Sequence, residues 1–274
     1  MRELLNDPDG FMKHISRVLF ERYLQDPFFS IHISNLTTPS SVLLLLGSCD
    51  HGQSPSEPCL ILNKRSQKVR QPGDICCPGG GISPVPDSVI AKLLTLPFSP
   101  LGSWRYWRQM RDQYPEGAGQ LALLLATGIR EGFEEMRLNP FGIRFLGILP
   151  HQPLQSFRRE IWPIVARVPR QHHFFPNWEV EKIVRIPVRD LLASENYACY
   201  RLEITPEVRK HFRHRQKEFP CFVFQDRQGK ELLWGATYRI IMVFLDMVLG
   251  FKPPDLSYLP VIHGTLEAHY MTGG

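Results

Sequence analysis

The sequence predicts an α+β protein with a mixed β-sheet. Short apolar runs of strand length are separated by segments rich in glycine, serine and proline, which is typical of strands joined by turns. Two longer segments carry apolar residues at helical spacing and end just before a proline or a glycine. Strands, a helix, more strands and a last helix follow one another in mixed order, which favours an α+β arrangement over a regular alternation of strands and helices.

Length and composition are those of an ordinary globular protein. The chain has 274 residues, 43% hydrophobic and 22% charged, enough for one large domain or two small ones. Lys and Arg number 32 against 27 Asp and Glu. This small excess argues against a dedicated nucleic-acid-binding protein but suits an anionic small-molecule substrate.

The cysteines and the apolar runs indicate the cellular environment. Six scattered cysteines without a CxxC pair suggest reduced thiols in a cytoplasmic protein. The longest apolar run, residues 42–46, is far too short to span a bilayer, and no signal peptide is recognisable. We therefore expect a soluble protein with no membrane partner. A homodimer is left open beside a monomer.

The first elements predicted along the chain are a helix over residues 11–24 and a hairpin. We expect the helix to lie outside the main core, in an N-terminal extension formed by residues 1–36, with the main domain over 37–274. The strands predicted in this part are residues 41–46, 59–63 and 74–77. The third of them enters a glycine turn at Pro78–Gly81.

Residues 82–119 differ in composition from their surroundings. Prolines recur there, and tryptophans such as Trp104 and Trp107 alternate with arginines, so we interpret this segment as an insertion. Leu and Ala residues then predict a helix over residues 120–137, and a second apolar helix is predicted over residues 237–249. The strands predicted between them are residues 145–149, 161–168, 183–188 and 222–225. The basic stretch 209–217 reads as a solvated helix face.

The helix at residues 120–137 carries three carboxylates at positions i, i+3 and i+4. Glu131, Glu134 and Glu135 should therefore share one helix face. Crowded carboxylates repel one another unless a hard divalent cation such as Mg²⁺ or Mn²⁺ lies between them. A solvated acidic helix turn is the alternative. Arg130, four residues before Glu134, can neutralise and orient that carboxylate.

The glycine turn and the acidic helix together resemble the Nudix box, G-x5-E-x7-R-E-U-x-E-E-x-G-U, where U is a bulky aliphatic residue. Gly80 would be the opening glycine, and residues 130–138 would be the closing half. The resemblance implies a Nudix-type α/β/α sandwich and a hydrolase that cleaves a diphosphate with the help of divalent cations. It implies Glu131, Glu134 and Glu135 as metal ligands, with one of them, or a water relayed through one, as the base. Gly79 and Gly80 would let the backbone approach the metal and the phosphates closely.

Two further segments resemble the coenzyme A pyrophosphatase subfamily of these enzymes. Residues 61–80 are similar to its element L-L-T-x-R-[SA]-x3-R-x3-G-x3-F-P-G-G, and residues 234–237, WGAT, look like the turn that opens its last helix. This implies hydrolysis of coenzyme A or acyl-coenzyme A to adenosine 3′,5′-bisphosphate and a 4′-phosphopantetheine product. Arg65, Ser66 and Arg70 become candidate substrate-binding residues, because arginine presents a planar fork to phosphate. Plain surface arginines are the alternative for Arg65 and Arg70.

The chain departs from the box pattern in several places. Gly80 and Arg130 are 50 positions apart where the pattern has 14. No glutamate stands at the first acidic position, which falls by count on Pro86, next to Asp87. Arg137 replaces a glycine that usually permits a left-handed turn, so we expect a different helix exit, running on to residues 139–140. Gly132 stands where a bulky residue is usual.

Several roles stay open on the sequence alone. The insertion could be a lid whose aromatic and basic residues cover the diphosphate, or a surface excursion that packs its tryptophans on the fold. Glu179 or Glu181 could add a fourth metal ligand or could be solvated at a strand edge. The substrate could also be another nucleoside diphosphate derivative, such as NADH or ADP-ribose. A degenerate Nudix domain that binds without turnover is the third reading.

Overall fold

Two mixed β-sheets and the helices packed against them form the fold. The computed structural model describes residues 2–25, 38–49, 57–154, 159–206, 216–226 and 229–272. The predicted α+β class is confirmed. The helices are α1 (Arg2–Leu5), α2 (Pro8–Gln25), α3 (Pro84–Leu94), α4 (Trp107–Gln113), α5 (Pro115–Met136), α6 (Val188–Leu191), α7 (Gly235–Leu249) and α8 (Ala268–Thr272).

Every strand predicted from the sequence, and each of the helices predicted over residues 11–24, 120–137 and 237–249, overlaps an observed one, although eight strands or helices of four or more residues were not foreseen. The strands are β1 (Thr38–Cys49), β2 (Glu57–Arg65), β3 (Ile75–Cys76), β4 (Gly79–Gly81), β5 (Arg144–Ile148), β6 (Gln152–Leu154), β7 (Arg159–Arg167), β8 (Val180–Pro187), β9 (Tyr197–Ile204), β10 (Gln216–Asp226), β11 (Gly229–Leu233) and β12 (Val261–Leu266). Those not foreseen are α1, α3, α4, α6, α8, β9, β11 and β12.

The first sheet is built around β1, which holds the apolar run of residues 42–46. The described strands run in the order β3-β2-β1-β7-β5, with β8 on β2, β6 on β7 and β4 on β1. β1 and β2 form the predicted antiparallel hairpin, with Leu45 opposite Ile61, whereas β1 and β7 are parallel. The sheet is therefore mixed, as predicted.

Helices cover both faces of this sheet, because successive side chains of a strand point to opposite sides. Leu44 and Leu46 of β1 pack in one buried cluster with residues of α7. Leu43 and Leu45 pack in a second cluster with residues of α5. The result is a helix–sheet–helix arrangement in which α5, the acidic helix, lies on one face of β1.

The N-terminal helix α2 belongs to the core, so the expectation that it lies outside is wrong. Phe11 and Ile15 are fully buried, and Leu19 is nearly so. These positions, four residues apart, form one apolar stripe that packs against α7 and β5. Because this apolar stripe is buried in the same cluster as residues of α7, the helix is part of the main packed unit. Residues 26–37, which include the predicted boundary at 36, lie outside the described residues.

The insertion packs its tryptophans on the fold, and the lid interpretation is wrong for them. Trp104 and Trp107 are buried in the same cluster as α5. The indole N–H of Trp104 donates to Ser16 Oγ over 2.8 Å, and its ring meets Phe145 edge-on at 4.9 Å between centroids. An indole buried against α2 and β5 in this way has no face left for a substrate base.

The second sheet has the order β11-β10-β9-β12 among the described strands, with β12 parallel to β9. Of the basic stretch 209–217, residues 209–215 lie outside the described residues, while Lys217 lies in strand β10, so no helix continues there. Within the described residues, no helix is long and apolar enough to cross a membrane.

Candidate active site

The glycine turn forms a short strand, β4, that pairs with β1 and passes over the acidic helix. Gly79 lies opposite Val42 and Gly80 lies opposite Ser41. Gly79 has φ +152°, and a Cβ there would overlap the Ser41 carbonyl oxygen. A Cβ on Gly80 would lie 2.5 Å from the carboxylate carbon of Glu131. Glycine is thus required at position 79 for the backbone to lie this close to β1, and a side chain at position 80 would displace the Glu131 carboxylate.

The three glutamates of α5 lie beside this strand but have different partners. Glu131 Oε1 accepts a hydrogen bond from Arg130 Nη1 over 2.9 Å, and Glu134 Oε2 accepts from the same nitrogen over 3.3 Å. Glu135 Oε2 instead accepts from Asn63 Nδ2 over 2.8 Å. The predicted contact between Arg130 and Glu134 is present, and Arg130 also orients Glu131.

Arg130 makes its shortest ion pair with Asp87, a residue that sequence reasoning did not include in the site. Arg130 Nε lies 2.6 Å from Asp87 Oδ1, and Asp87 is fully buried. Asp87 Oδ2 also accepts hydrogen bonds from the Thr127 hydroxyl over 2.8 Å and from the Ser83 N–H over 2.7 Å. The carboxylate therefore holds Arg130 in place from the start of the inserted helix α3.

A different count along the sequence would have found Asp87. Asp87 is six positions after Gly81, which is the distance from the opening glycine to the first acidic residue of the box pattern. Counting from Gly80 gives Pro86 instead. Arg130 Nη2 also donates to the Gly81 carbonyl over 3.0 Å, so Gly81 is part of the same network.

The carboxylates of α5 destabilise one another's charged forms. Burial raises the pKa of Glu135 to about 8, and the neighbouring charges of Glu131 and Glu179 add to the shift. Burial also raises the pKa of Glu131, against the opposing effect of Arg130. The Gly79 backbone N–H hydrogen-bonds Glu135 and partly offsets the repulsion. Ionising these carboxylates between β4 and α5 is thus costly, and a cation bound there would stabilise their charged forms.

The chemistry of these donors fits a hard cation, although the side chains do not converge on one point. Carboxylate oxygens are the preferred ligands of Mg²⁺ and Mn²⁺. The Oδ1 atom of Asn63, next to Glu135, is buried with no hydrogen-bond partner among the described residues, so it lacks the partner that a donor or a cation would supply. In the described part of the chain, however, no three His, Cys, Asp or Glu side chains are grouped closely enough to hold a metal ion. Glu131 and Glu134 are held by Arg130 instead.

The end of the acidic helix corrects one expectation. Helix α5 ends at Met136, and Arg137 takes the left-handed conformation with φ 55° and ψ 40°. The Arg137 N–H donates to the Phe133 carbonyl, and the Leu138 N–H donates to the Gly132 carbonyl. The helix therefore leaves by the turn that glycine usually makes, and a different exit was the wrong prediction. The Arg137 guanidinium lies 5.0 Å from the Phe133 ring centroid and offsets part of the strain.

Gly132, at a position where a bulky residue is usual, is buried against the chain that leaves the helix. A Cβ there would lie 2.9 Å from Leu138 Cδ2. The leucine folds back over the helix end and fills the space that a larger side chain would take.

The predicted substrate-binding residues lie in different surroundings. Arg65 lines a cleft of about 480 Å³ that opens beside Gly79 and Gly80, and its Nε donates to the Arg70 carbonyl over 2.7 Å. Ser66 hydrogen-bonds the backbone of Trp178 and Glu179, so it fixes the chain before β8. Arg70 is exposed and does not line the cleft.

Glu179 and Glu181 have different environments. Glu179 is close enough to Glu135 to raise the pKa of that carboxyl. Glu181 forms an ion pair with Lys64 over 3.1 Å. Of the two, Glu179 is therefore the one associated with the carboxylates of α5.

The sequence is similar to curated Nudix hydrolases. No protein-family model matches the chain. It is 31% identical over 132 residues to an uncharacterized Nudix hydrolase, NudL, of Pectobacterium atrosepticum. That match covers 47% of the chain and 62% of the relative's length. A second uncharacterized NudL, from Enterobacter sp. strain 638, is 25% identical over 200 residues, covering 72% of the chain and 78% of that relative. These matches relate the chain in sequence to Nudix hydrolases.

Solved structures give only a distant likeness. A Nudix hydrolase from Nitrosomonas europaea covers 85% of this chain, with 10% identity and a TM-score of 0.37. One from Alicyclobacillus acidocaldarius covers 57% of this chain, with 16% identity and a TM-score of 0.36.

Proposed function

We propose that this chain is a Nudix hydrolase that cleaves the diphosphate of coenzyme A or acyl-coenzyme A and requires Mg²⁺ or Mn²⁺. The observation that carries the proposal is the placement of Glu131 and Glu135 against the glycine strand, with Arg130 fixed beside them by buried Asp87. Sequence similarity to curated Nudix hydrolases supports the same reaction class.

The reaction needs a cation, and the residues that would hold it are Glu131, Glu134 and Glu135. A bound Mg²⁺ or Mn²⁺ supplies a reactive water at neutral pH and neutralises charge on the diphosphate oxygens. Arg130 contributes by hydrogen-bonding the carboxylates of Glu131 and Glu134 and so orienting them. Gly79 and Gly80 contribute a backbone without side chains, which leaves room for the diphosphate beside α5.

The coenzyme A assignment rests on the subfamily-like segments and on the cleft. Residues 61–80 supply Arg65 at the cleft wall and lead directly into the glycine strand. The WGAT segment, residues 234–237, lines the same cleft from the start of α7. Two segments that resemble one subfamily therefore meet around one space. Ser66 is assigned a positioning role, since its contacts are to backbone atoms of residues 178 and 179.

A binding module without turnover is the competing proposal. It is favoured by two observations: Glu131 and Glu134 are held by Arg130, and no metal-binding group of three side chains is formed in the described residues. In that case nucleotide would bind beside Gly79–Gly80 without hydrolysis.

Assays of the full chain with several substrates separate these proposals. The protein is incubated with coenzyme A, NADH or ADP-ribose and with Mg²⁺ or Mn²⁺, and the products are resolved by chromatography. We expect adenosine 3′,5′-bisphosphate from coenzyme A, lost in Glu135→Gln and retained in Glu181→Gln, whose carboxylate pairs with Lys64 instead. Turnover of NADH or ADP-ribose alone would reassign the substrate. Binding with no turnover of any of the three would overturn the hydrolase proposal.

A further inference from the structure

The cleft beside the glycine strand extends well beyond the acidic helix, into the space between the two sheets. Its volume of about 480 Å³ is in the range of small-molecule sites. One wall comes from β1, β3 and β4, and the opposite wall comes from β9, β10 and β12 of the second sheet. The first turn of α7 and Tyr270 of α8 close the far end. A ligand that reaches the carboxylates from this side must therefore place its other end in the cleft.

Positive charge predominates on the cleft walls. Arg65, Lys217 and Arg239 line the cleft, and Asp74 is the single carboxylate among its described lining residues. Both oxygens of Asp74 are already used, since Oδ1 accepts from the Trp234 indole over 3.0 Å and Oδ2 from the Tyr270 hydroxyl over 2.5 Å. Arg239, by contrast, makes no ion pair with a described carboxylate. An anionic group on the ligand would meet this guanidinium and offset the excess of positive charge.

The far end of the cleft is aromatic and held rigidly. The Trp234 ring lies 5.4 Å from that of Phe219 and 6.2 Å from that of Tyr270, measured between centroids. All three residues line the cleft. Because Asp74 hydrogen-bonds both Trp234 and Tyr270, their rings are fixed before any ligand arrives. A preorganised aromatic wall of this kind suits a planar base, which stacks on it at low entropic cost.

We propose that the cleft between the sheets binds the phosphorylated nucleoside arm of the substrate, with the base against the Trp234–Phe219–Tyr270 wall and a phosphate remote from the scissile diphosphate at Arg239. This inference rests on the proposed function, and it assigns to that substrate a subsite built from the second sheet and the C-terminal elements. A nucleoside with a second phosphate, such as adenosine 3′,5′-bisphosphate, is the ligand class that fits both the charge and the aromatic wall.

Calorimetric titration of the full chain with three probes tests the subsite without hydrolysis. The probes are adenosine 3′,5′-bisphosphate, AMP and 4′-phosphopantetheine, each in a chelator so that no divalent cation is present. We expect the bisphosphate to bind about tenfold more tightly than AMP, and Arg239→Gln to remove that difference. Arg108→Gln should change nothing, because Arg108 lies on α4, outside the cleft, and pairs with Asp112.

The outcomes distinguish failure of the subsite from failure of the enzyme proposal. Equal affinity of wild type and Arg239→Gln for the bisphosphate, or no binding of it, would overturn the inference even if coenzyme A is hydrolysed. Preferential binding of 4′-phosphopantetheine would assign the cleft to the other arm and would overturn it as well. Binding that depends on Arg239, in a protein that hydrolyses none of the assayed substrates, would support the subsite and reject the hydrolase.

Discussion

Asp87, which is buried, and Arg130, which is partly buried and 43 positions away in the sequence, form an ion pair with 2.6 Å between Oδ1 and Nε. The pair connects the inserted helix α3 to the acidic helix α5, because Asp87 also accepts hydrogen bonds from Thr127 and Ser83. Through Arg130 it sets the positions of Glu131 and Glu134. The insertion thus holds these carboxylates in position through the contact between Asp87 and Arg130.

Removing Asp87 should destabilise the protein strongly. Asp87→Ala removes the main partner of the partly buried Arg130 guanidinium and leaves the Thr127 hydroxyl and the Ser83 N–H without this acceptor, which should cost about 2 kcal/mol or more. Urea unfolding measures the loss. The exposed pair of Arg108 and Asp112 provides the control, since Asp112→Ala should cost less than about 1 kcal/mol. A similar small loss for Asp87→Ala would show that the pair does not hold the site together.

Two neighbouring glycines should respond differently to alanine. Gly80→Ala places a methyl group against the Glu131 carboxylate, whereas a Cβ on Gly81 meets nothing within 4 Å. We expect Gly80→Ala to lower kcat/KM for coenzyme A roughly tenfold to a hundredfold, because small displacements of catalytic groups are costly. Gly81→Ala should keep nearly full activity. Steady-state kinetics of the two folded variants decide this, and equal activities would contradict the geometry of β4.

Replacing Arg137 by glycine should stabilise the fold. Arg137 holds a left-handed conformation that costs an L-residue about 1 kcal/mol or more, and glycine removes that strain. The gain should be about 0.5–1 kcal/mol, since the contact with Phe133 is lost and the unfolded chain becomes more flexible.

Arg137→Ala is the matched variant for this prediction. Alanine keeps the strain and loses the contact, so it should be less stable than wild type. The free energy of unfolding of the three proteins gives the order, and an Arg137→Gly protein less stable than the alanine variant would refute the account of the helix end.

Trp104 should matter for stability and not for substrate binding. Trp104→Ala empties a buried site against Phe145 and removes the hydrogen bond to Ser16, a loss of about 3 kcal/mol or more. The KM for substrate should stay unchanged in a folded preparation. A raised KM with unchanged stability would restore the lid interpretation of the insertion.

The stability of the fold should depend on the protonation of Asp74. Burial raises the pKa of Asp74 to about 6, against the opposing hydrogen bonds from Tyr270 and Trp234. The folded chain therefore binds this proton more tightly than the unfolded chain. The stabilisation by the protonated carboxyl is complete below about pH 4 and is lost as the pH rises through about 6.

Asp74→Asn replaces the titrating carboxyl by an amide, so comparison of this variant with the wild type should show how much Asp74 contributes to the pH dependence of stability. Between pH 4 and pH 7 the wild type should lose about 2 kcal/mol of unfolding free energy relative to the variant, because only the wild type has this proton to lose. Denaturant unfolding at both values measures it. A difference that does not change with pH would mean that Asp74 is ionised over the whole range.

The parts of the fold that the sequence predicts well are those with long apolar runs. β1 and β2 are buried on both faces, so their sequences are almost continuously apolar and stand out. β9 and β12 mix exposed polar residues with buried ones, as in Arg201 and Glu203 of β9, and carry a weaker signal. Helix α3 begins with Pro84 and Pro86, which read as loop residues although proline is tolerated in a first helical turn.

Sequence spacing was enough to predict which side chains of the candidate site share a helix. It could not predict their partners, which depend on tertiary packing. The i, i+3, i+4 spacing placed Glu131, Glu134 and Glu135 on one helix. Their individual partners depend on Asn63 and on Asp87, which come from other elements brought together by folding. The left-handed Arg137 was missed because propensity argues against it, and local contacts overcome that preference.

The most direct test of the central claim is the dependence of coenzyme A hydrolysis on Mn²⁺, measured for wild type and Glu135→Gln at a fixed substrate concentration. Formation of adenosine 3′,5′-bisphosphate should rise to saturation with Mn²⁺ in the wild type and stop in a chelator. In the folded Glu135→Gln variant it should fall by about a hundredfold or more, since the variant lacks a carboxylate that we propose as a ligand to the cation. Hydrolysis that continues in the chelator, or that proceeds equally in Glu135→Gln, would contradict a cation-dependent diphosphatase built on helix α5.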